Sequence, residues 1–182
     1  MEFVEYGKTN RLFRPVVITE KIDGSNCVIG IDTENRRIYA GSRTKWLNNE
    51  QDHFGFHKWV TENCYTLFED LGPGLHRGEW FGQKMQRKYG MDHREFALFN
   101  TEKWGNKEFK TPNLRSVPIL YEGVFDFEAI DWCLERLTVL GSVASPGFMK
   151  PEGICIFHSQ ANMVFKVLLE NDQMTKTEAG IK

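Results

Sequence analysis

The stretch Glu20-Lys21-Ile22-Asp23-Gly24-Ser25-Asn26 lies between two apolar runs, residues 15–19 and 27–31. This order predicts two strands joined by a turn that contains Asp-Gly. Lys21 then lies where the first strand ends, with the backbone amides of the turn close by. One interpretation is a surface lysine in a hairpin turn. The other is a nucleophilic amine, which burial or neighbouring cations must keep in its neutral form.

The composition is that of an ordinary globular protein. Of 182 residues, 41% are hydrophobic and 26% are charged, which fits a single domain over residues 1–182. The net charge of −2 gives no overall basic field, so any nucleic acid would have to bind in a local groove. The four cysteines form no Cys-x-x-Cys pair, which argues against a structural zinc site.

The location is predicted from the same features. The first residues lack an apolar stretch of signal-peptide length, and no run approaches the ~20 residues that span a bilayer. Widely spaced cysteines fit reduced thiols. We therefore expect a cytoplasmic protein without a membrane partner.

The hydrophobic pattern predicts clustered strands interrupted by single helices. Apolar residues three and four positions apart indicate helices over 52–70 and 127–140. Strands are expected at 16–20, 26–32, 37–41, 75–80, 95–100, 153–158 and 162–169. This order predicts an α+β fold with antiparallel sheets flanked by helices, not alternating parallel units.

Five charged residues occupy apolar or glycine-rich strand ends: Lys21, Arg43, Glu79, Glu152 and Lys166. Two further cations, two acids and one candidate nucleophile could thus converge in a groove. Arg43, Glu79 and Glu152 could each equally be an exposed group at a strand end. Lys166 stands between Val-Phe and Val-Leu, where burial without a partner is costly, so a functional role is favoured.

In their order along the chain, these residues resemble the motifs of the covalent nucleotidyltransferases, which include ATP-dependent polynucleotide ligases and mRNA capping enzymes. Residues 21–24 resemble the first motif, whose lysine becomes adenylylated. Ser42-Arg43-Thr44 resembles the motif whose arginine contacts the nucleotide and the acceptor phosphate. Gly78-Glu79-Trp80 resembles the motif whose acid binds the ribose, and Phe99 resembles the aromatic residue that stacks on the base.

The last two motifs lie near the end of the chain. Glu152-Gly153-Ile154 resembles the motif whose acid helps to hold the catalytic metal, with Asp23 as a possible second oxygen ligand. Phe165-Lys166 resembles the motif whose lysine grips the α-phosphate. The resemblance runs from about residue 15 to 170, and its strength lies in the whole set, because each motif alone is weakly specific.

Residues 20–26 are most similar to the RNA ligase 2-type branch. There the main chain of Glu20 would face the adenine, and Asn26 would help to organise the phosphate and metal. The resemblance implies an adenylyltransferase domain of the nucleotidyltransferase (ATP-grasp-like) type. It also implies ATP with Mg²⁺ or Mn²⁺ as cofactors. The expected partner is a nucleic acid, RNA favoured, with 5′-phosphate and 3′-hydroxyl ends.

Two departures from the family pattern affect the functional hypothesis. The fifth motif usually reads Lys-x-Lys, but here it is Lys166-Val167-Leu168, and Lys150 or Lys176 are candidates to replace the second lysine. The chain also ends 16 residues after Lys166, so we expect neither an OB-fold nor a helical C-terminal domain. A partner protein or domain could supply those functions.

Two other functions stay open at this point: a GTP-dependent capping-type guanylyltransferase, and a non-catalytic module that binds nucleic-acid ends. The basic run 84–88, with Arg94 beyond it, could grip phosphates or could be a solvated loop.

Overall fold

Two β-sheets, with four helices around them, form the fold of the computed structural model, which describes residues 1–173. The first sheet has the strand order β7-β1-β8-β9 and the second has the order β3-β2-β4-β5-β6. All neighbouring strands are antiparallel except β5 and β6, which are parallel. The predicted α+β class with antiparallel sheets is confirmed.

The strands are β1 (Pro15–Lys21), β2 (Ser25–Asp32), β3 (Arg37–Ser42), β4 (Gly74–Gly82), β5 (Arg94–Leu98), β6 (Leu114–Ser116), β7 (Ile119–Val124), β8 (Gly153–His158) and β9 (Met163–Leu168). The helices are α1 (Phe56–Glu62), α2 (Cys64–Leu71), α3 (Thr101–Trp104) and α4 (Phe127–Leu140). No helix within residues 1–173 is both long and apolar enough to cross a membrane.

Each sheet buries one face against helices. In the first sheet, Ile18 and Ile154 pack against Cys133 and Leu137 of α4. Asp126 begins α4, because its side chain accepts a hydrogen bond from the Glu128 amide at 3.0 Å.

In the second sheet, Cys27, Ile29 and Ile31 join a core with Phe56 and Trp59 of α1. Because side chains alternate along a strand, Asn26 and Val28 point to the opposite face. The site described below is built on that face.

The predicted helix over 52–70 is wrong in its extent. His53, Phe54 and Gly55 have φ values of 49°, 57° and 79°, which an α-helix does not allow, so α1 begins only at Phe56. Asn63, at φ −106° and ψ 16°, then separates α1 from α2. The apolar spacing of three and four runs across this break, which is why the sequence predicts one helix.

Strands β6 and β7 and helix α3 were not predicted. β6 has three residues and α3 has four, both too short to show a period. β7 lies at the edge of the first sheet, where its residues are only partly buried or exposed, so it lacks the long apolar run of the inner strands.

Candidate active site

The candidate nucleophile Lys21 forms an ion pair with Glu152. Because β1 and β8 are antiparallel with Lys21 opposite Gly153, Glu152 lies immediately beside the end of β1. Lys21 Nζ and Glu152 Oε2 are 2.5 Å apart, and the two side chains are 21% and 8% exposed. The Lys21 amine is thus held in one position, partly shielded from water, at the end of β1 in the first sheet.

Gly153 allows the strands around this pair to approach closely. Its φ is +150°, and a Cβ atom here would lie 2.2 Å from the carbonyl oxygen of Val167 on β9. Any side chain at residue 153 would push β9 away from β8, since no room exists between these two backbones.

Glu79 on β4 is a buried carboxylate next to the lysine turn. It lies opposite Asn26 on β2, and its Oε2 accepts a hydrogen bond from Asn26 Nδ2 at 2.5 Å. Its Oε1 accepts from the Gly24 backbone amide at 3.0 Å. Burial raises the pKa of Glu79 to about 7, although the charge of Lys21 and both hydrogen bonds act in the opposite direction.

The turn at Gly24 rests directly on β4. A Cβ atom at residue 24 would lie 2.3 Å from the Trp80 carbonyl oxygen and 2.8 Å from Phe81 Cβ. Glycine is therefore required by this contact, which joins the turn of the predicted first motif to the strand that carries Glu79.

A small cleft opens on the second sheet beside Glu79. Phe99, directly after β5, forms part of its wall and is 42% exposed, so it is accessible to a ligand. Arg43, which follows β3, is exposed at the same cleft. The full lining is Asn26, Cys27, Val28, Ser42, Arg43, Arg77 and Phe99. The structure thus brings Asn26, Arg43 and Phe99 together, next to Glu79.

Arg77 was missed by the sequence analysis. It lies two residues before Glu79 in β4, so alternation places both side chains on the same face of the strand, and its carbonyl accepts the Phe99 amide at 3.0 Å. Within residues 1–173, neither Arg43 nor Arg77 forms an ion pair with a carboxylate. The position of Arg77 relative to Glu79 was the available signal, since the strand over 75–80 was predicted.

Lys166 is exposed on the edge strand β9, so the cost of burial does not apply to it, and its functional role stays a prediction. It lies opposite Cys155, while Val167 packs towards the α4 core. Alternation therefore puts Lys166 on the same face of the sheet as Lys21. Leu168 lies opposite Gly153, level with Lys21. An apolar side chain thus occupies the position of the family's second lysine.

Asp23 and Glu20 hold the turn through their side chains. The Asp23 carboxylate is 3.2 Å from Arg87 Nε, and the Asp23 amide donates to the Tyr89 hydroxyl at 2.7 Å. Glu20 points to the opposite face of β1 from Lys21. Its buried carboxylate accepts from Ser142 Oγ at 2.5 Å and from the amides of residues 143 and 144 at 2.7 and 2.8 Å. Burial raises the pKa of Glu20 against these hydrogen bonds.

The roles predicted for these two residues, metal binding by Asp23 and adenine contact by the Glu20 main chain, stay predictions. The Asp23 carboxylate lies against Arg87, so an incoming metal would compete with that arginine. The Glu20 amide donates to the Pro118 carbonyl at 3.0 Å.

The carboxylates at the site suit a metal ion whose remaining ligands are phosphate oxygens of the substrate. Within residues 1–173, no group of three or more His, Cys, Asp or Glu side chains is arranged so that it could hold a metal ion by itself. Mg²⁺ is commonly held by one or two carboxylates together with waters and substrate phosphates, and Glu152 fits that arrangement. Lys150, a candidate for the missing second lysine, has a carbonyl that accepts from Arg87 at 3.0 Å, close to the turn. Lys176, the other candidate, lies outside the described residues.

Solved structures with a similar fold include several forms of the Naegleria gruberi RNA ligase. A mutant with ATP and Mn superposes with a TM-score of 0.58 and 17% identity, over 88% of this chain and 52% of that chain. A mutant with AMP and Mn gives 0.58 and 16%, over 86% and 50%. An apo mutant gives 0.57 and 18%, over 85% and 49%. The chain thus spans about half the length of these ligases, and the likeness shows a shared fold.

Comparison with sequences gives a family. None of the curated protein sequences matches the chain. The model of the RNA ligase family matches residues 14–168, which is most of the chain and includes all the motifs described above. The chain therefore belongs to the RNA ligase family.

Proposed function

We propose that this chain catalyses the nucleotidyl transfer of an ATP-dependent RNA ligase, with Lys21 as the residue that becomes covalently bound to AMP. The observation that carries the proposal is the 2.5 Å contact between Lys21 and Glu152, beside a cleft lined by Phe99 and Arg43. Family membership supports the reaction class.

In the first step, the Lys21 amine attacks the α-phosphorus of ATP. The Lys21 ammonium first passes a proton to Glu152, which it contacts. The neutral amine then forms a phosphorus–nitrogen bond as the bond to pyrophosphate breaks, and the excess proton on that nitrogen passes to water. Glu152 fixes the position of Nζ before the reaction, so that the attacking atom needs little reorganisation. The resulting lysyl-AMP divides a difficult condensation into easier stages.

The remaining residues bind and orient the nucleotide. Phe99 would stack on the adenine, Glu79 would bind the ribose, and Asn26, which lines the cleft and donates to Glu79, would help to organise the phosphate. Arg43 and Lys166 supply positive charge for the phosphates. A divalent cation, when bound near Glu152, would offset charge on the reacting phosphate. The solved ligase structures with ATP and Mn support this choice of nucleotide and metal.

In the later steps, AMP would pass from Lys21 to the 5′-phosphate of an RNA end, and a 3′-hydroxyl would then displace AMP as it forms the phosphodiester bond. Family membership supports RNA as the substrate. The ligases of similar fold are about twice as long, which supports a further domain or partner protein as a contributor to sealing.

Leu168 favours a second candidate function, a module that binds nucleic-acid ends without catalysis. It stands level with Lys21 where the family usually has a second lysine. Such a module would bind RNA but form no adduct with ATP or GTP. A guanylyltransferase would form its adduct with GTP in preference to ATP.

The test uses RNA that carries a 5′-phosphate and a 3′-hydroxyl, incubated with the protein, magnesium and either ATP or GTP. We expect AMP-capped RNA and sealed product with ATP, and neither product with Lys21→Ala. Sealing by the Lys21→Ala variant would contradict the assignment. Glu152→Ala should lose activity while its melting temperature changes little. An equal loss of stability and activity would make Glu152 a structural residue instead.

A further inference from the structure

Residues 83–90, which belong to the loop between β4 and β5, have an unusual backbone. We call this segment the basic loop. Four of its residues other than glycine have positive φ: Lys84 at 60°, Gln86 at 21°, Lys88 at 60° and Tyr89 at 50°. Such conformations cost about 1–3 kcal/mol each and persist only where the surroundings impose them. Strain of this kind is concentrated at functional sites.

Two buried side chains anchor the basic loop. Met85 and Tyr89 are 2% and 1% exposed. The Tyr89 hydroxyl accepts the Asp23 amide, and Ser145 Oγ donates to the Tyr89 carbonyl at 2.7 Å. The loop is therefore fixed both to the lysine turn and to the segment after α4. Lys84, directly before the first anchor, and Lys88, between the two anchors, are exposed to solvent.

The basic loop contacts the turn that carries the candidate nucleophile. Arg87 bridges the loop to the turn, since its guanidinium contacts the Asp23 carboxylate, two residues after Lys21. Neither Lys84 nor Lys88 forms an ion pair with any carboxylate of residues 1–173. Arg94 does not belong to the exposed patch, because its Nε donates to the Gln83 carbonyl at 2.8 Å and so supports the loop itself.

Unpaired lysines on a strained, fixed loop suit a polyanion that passes close to Lys21. We propose that the basic loop binds the phosphodiester backbone of the RNA strand whose 5′-phosphate is activated at Lys21. This inference rests on the proposed function, whose substrate it positions. The other source of phosphate, the triphosphate of ATP, is distinguished by the experiment.

The experiment measures affinity for a 5′-phosphorylated oligoribonucleotide, without ATP, over a range of salt concentrations. Each phosphate contact in a single strand contributes about 0.7 to the slope of log K against log salt. We expect the double variant Lys84→Gln/Lys88→Gln to bind more weakly and to lower that slope by about 1.4. Formation of the AMP adduct with ATP should stay within about twofold of the wild-type rate, a difference of ~0.4 kcal/mol.

Two controls make the result specific. Lys58→Gln/Lys103→Gln removes the same charge from exposed positions on α1 and α3, on the far side of the second sheet, and should keep the wild-type slope. Lys84→Arg/Lys88→Arg keeps the charge and should also keep the slope. A slope for the glutamine variant equal to that of the distant control would overturn the proposal. So would a parallel loss of adduct formation, because the lysines would then serve ATP.

Failure of this proposal is separable from failure of the proposed function. If wild-type protein forms no adduct with ATP, the ligase mechanism fails. The RNA measurement contains no ATP, so it still reports whether the basic loop binds the strand.

Discussion

At the scale of single residues, Glu79 makes stability depend on pH. Its pKa rises from 4.5 to about 7 on folding, so between these values the unfolded chain releases a proton that the folded chain keeps. The free energy of unfolding therefore falls as pH rises through this window, by about 1.4 kcal/mol per pH unit and roughly 3 kcal/mol in total. Above pH 7 the Glu79 carboxylate is charged although it is buried, and the free energy of unfolding stays lower by this amount.

Glu79→Gln should remove this pH-dependent contribution. The glutamine keeps an oxygen acceptor for the Gly24 amide, and the Asn26 side chain can turn its own oxygen towards the new amide. Urea unfolding at pH 5 and pH 8 should show the variant gaining roughly 3 kcal/mol relative to wild type between the two conditions. If the free energy of unfolding of Glu79→Gln differed from that of wild type by the same amount at pH 5 and at pH 8, folding would not raise the pKa of Glu79.

Glu20 illustrates a buried acid whose side chain stabilises the fold near the lysine. Glu20→Ala leaves the Ser142 hydroxyl and the amides of residues 143 and 144 without their acceptor. Since each unsatisfied buried donor costs about 1–3 kcal/mol, we expect a loss of at least ~3 kcal/mol in unfolding free energy. Ser142→Ala removes one of the three bonds to Glu20 and also the acceptor of the Ser145 amide, and should cost less than Glu20→Ala because the amides of residues 143 and 144 keep their acceptor. Equal stability of Glu20→Ala and wild type would contradict this account.

At the scale of elements, the turn between β1 and β2 is fixed by its contact with β4. Gly24→Ala would force a Cβ atom to within 2.3 Å of the Trp80 carbonyl oxygen, so the turn must move and carry Lys21 with it. We expect this variant to lose adduct formation and thermal stability together. Gly7→Ala is the matched control, because a Cβ atom there meets nothing within 4 Å. A fully active Gly24→Ala protein would show that the turn tolerates displacement.

Elements differed in how well the sequence predicted them. The inner strands β1, β2 and β8 were predicted because each carries a continuous apolar run. The start of α1 and its separation from α2 were not predicted. The backbone dihedrals at residues 53–55 and at residue 63 decide them, while the apolar spacing continues across both places. β7 is an edge strand that pairs only with β1. Its residues are only partly buried or exposed, so its sequence lacks the long apolar run that marks the inner strands.

At the scale of the whole molecule, the site forms where the two sheets meet at the lysine turn. Lys21 and Glu152 come from the first sheet, and Glu79, Asn26 and Phe99 from the second. Motif order predicted this set, because each residue stands at the end or on the polar face of a predicted strand.

Other partners at the site could not be predicted from the sequence. The contacts of Asp23 with Arg87 and Tyr89, and those of Glu20 with residues 142–144, join segments more than 60 residues apart without a sequence period that relates them. The exposure of Lys166 depends on β9 being an edge strand, which only the strand order reveals. Sequence patterns predict which side chains share a face of a strand. The contacts between segments that are distant in the chain are seen only in the folded structure.

The central claim is a covalent bond between Lys21 and AMP. The most direct measurement is the intact mass of the protein after incubation with ATP and magnesium, for wild type and for Lys21→Ala. We predict that wild type gains the mass of one AMP and that Lys21→Ala gains none. An adduct of equal yield on both proteins, or no adduct on wild type with saturating ATP, would contradict the account.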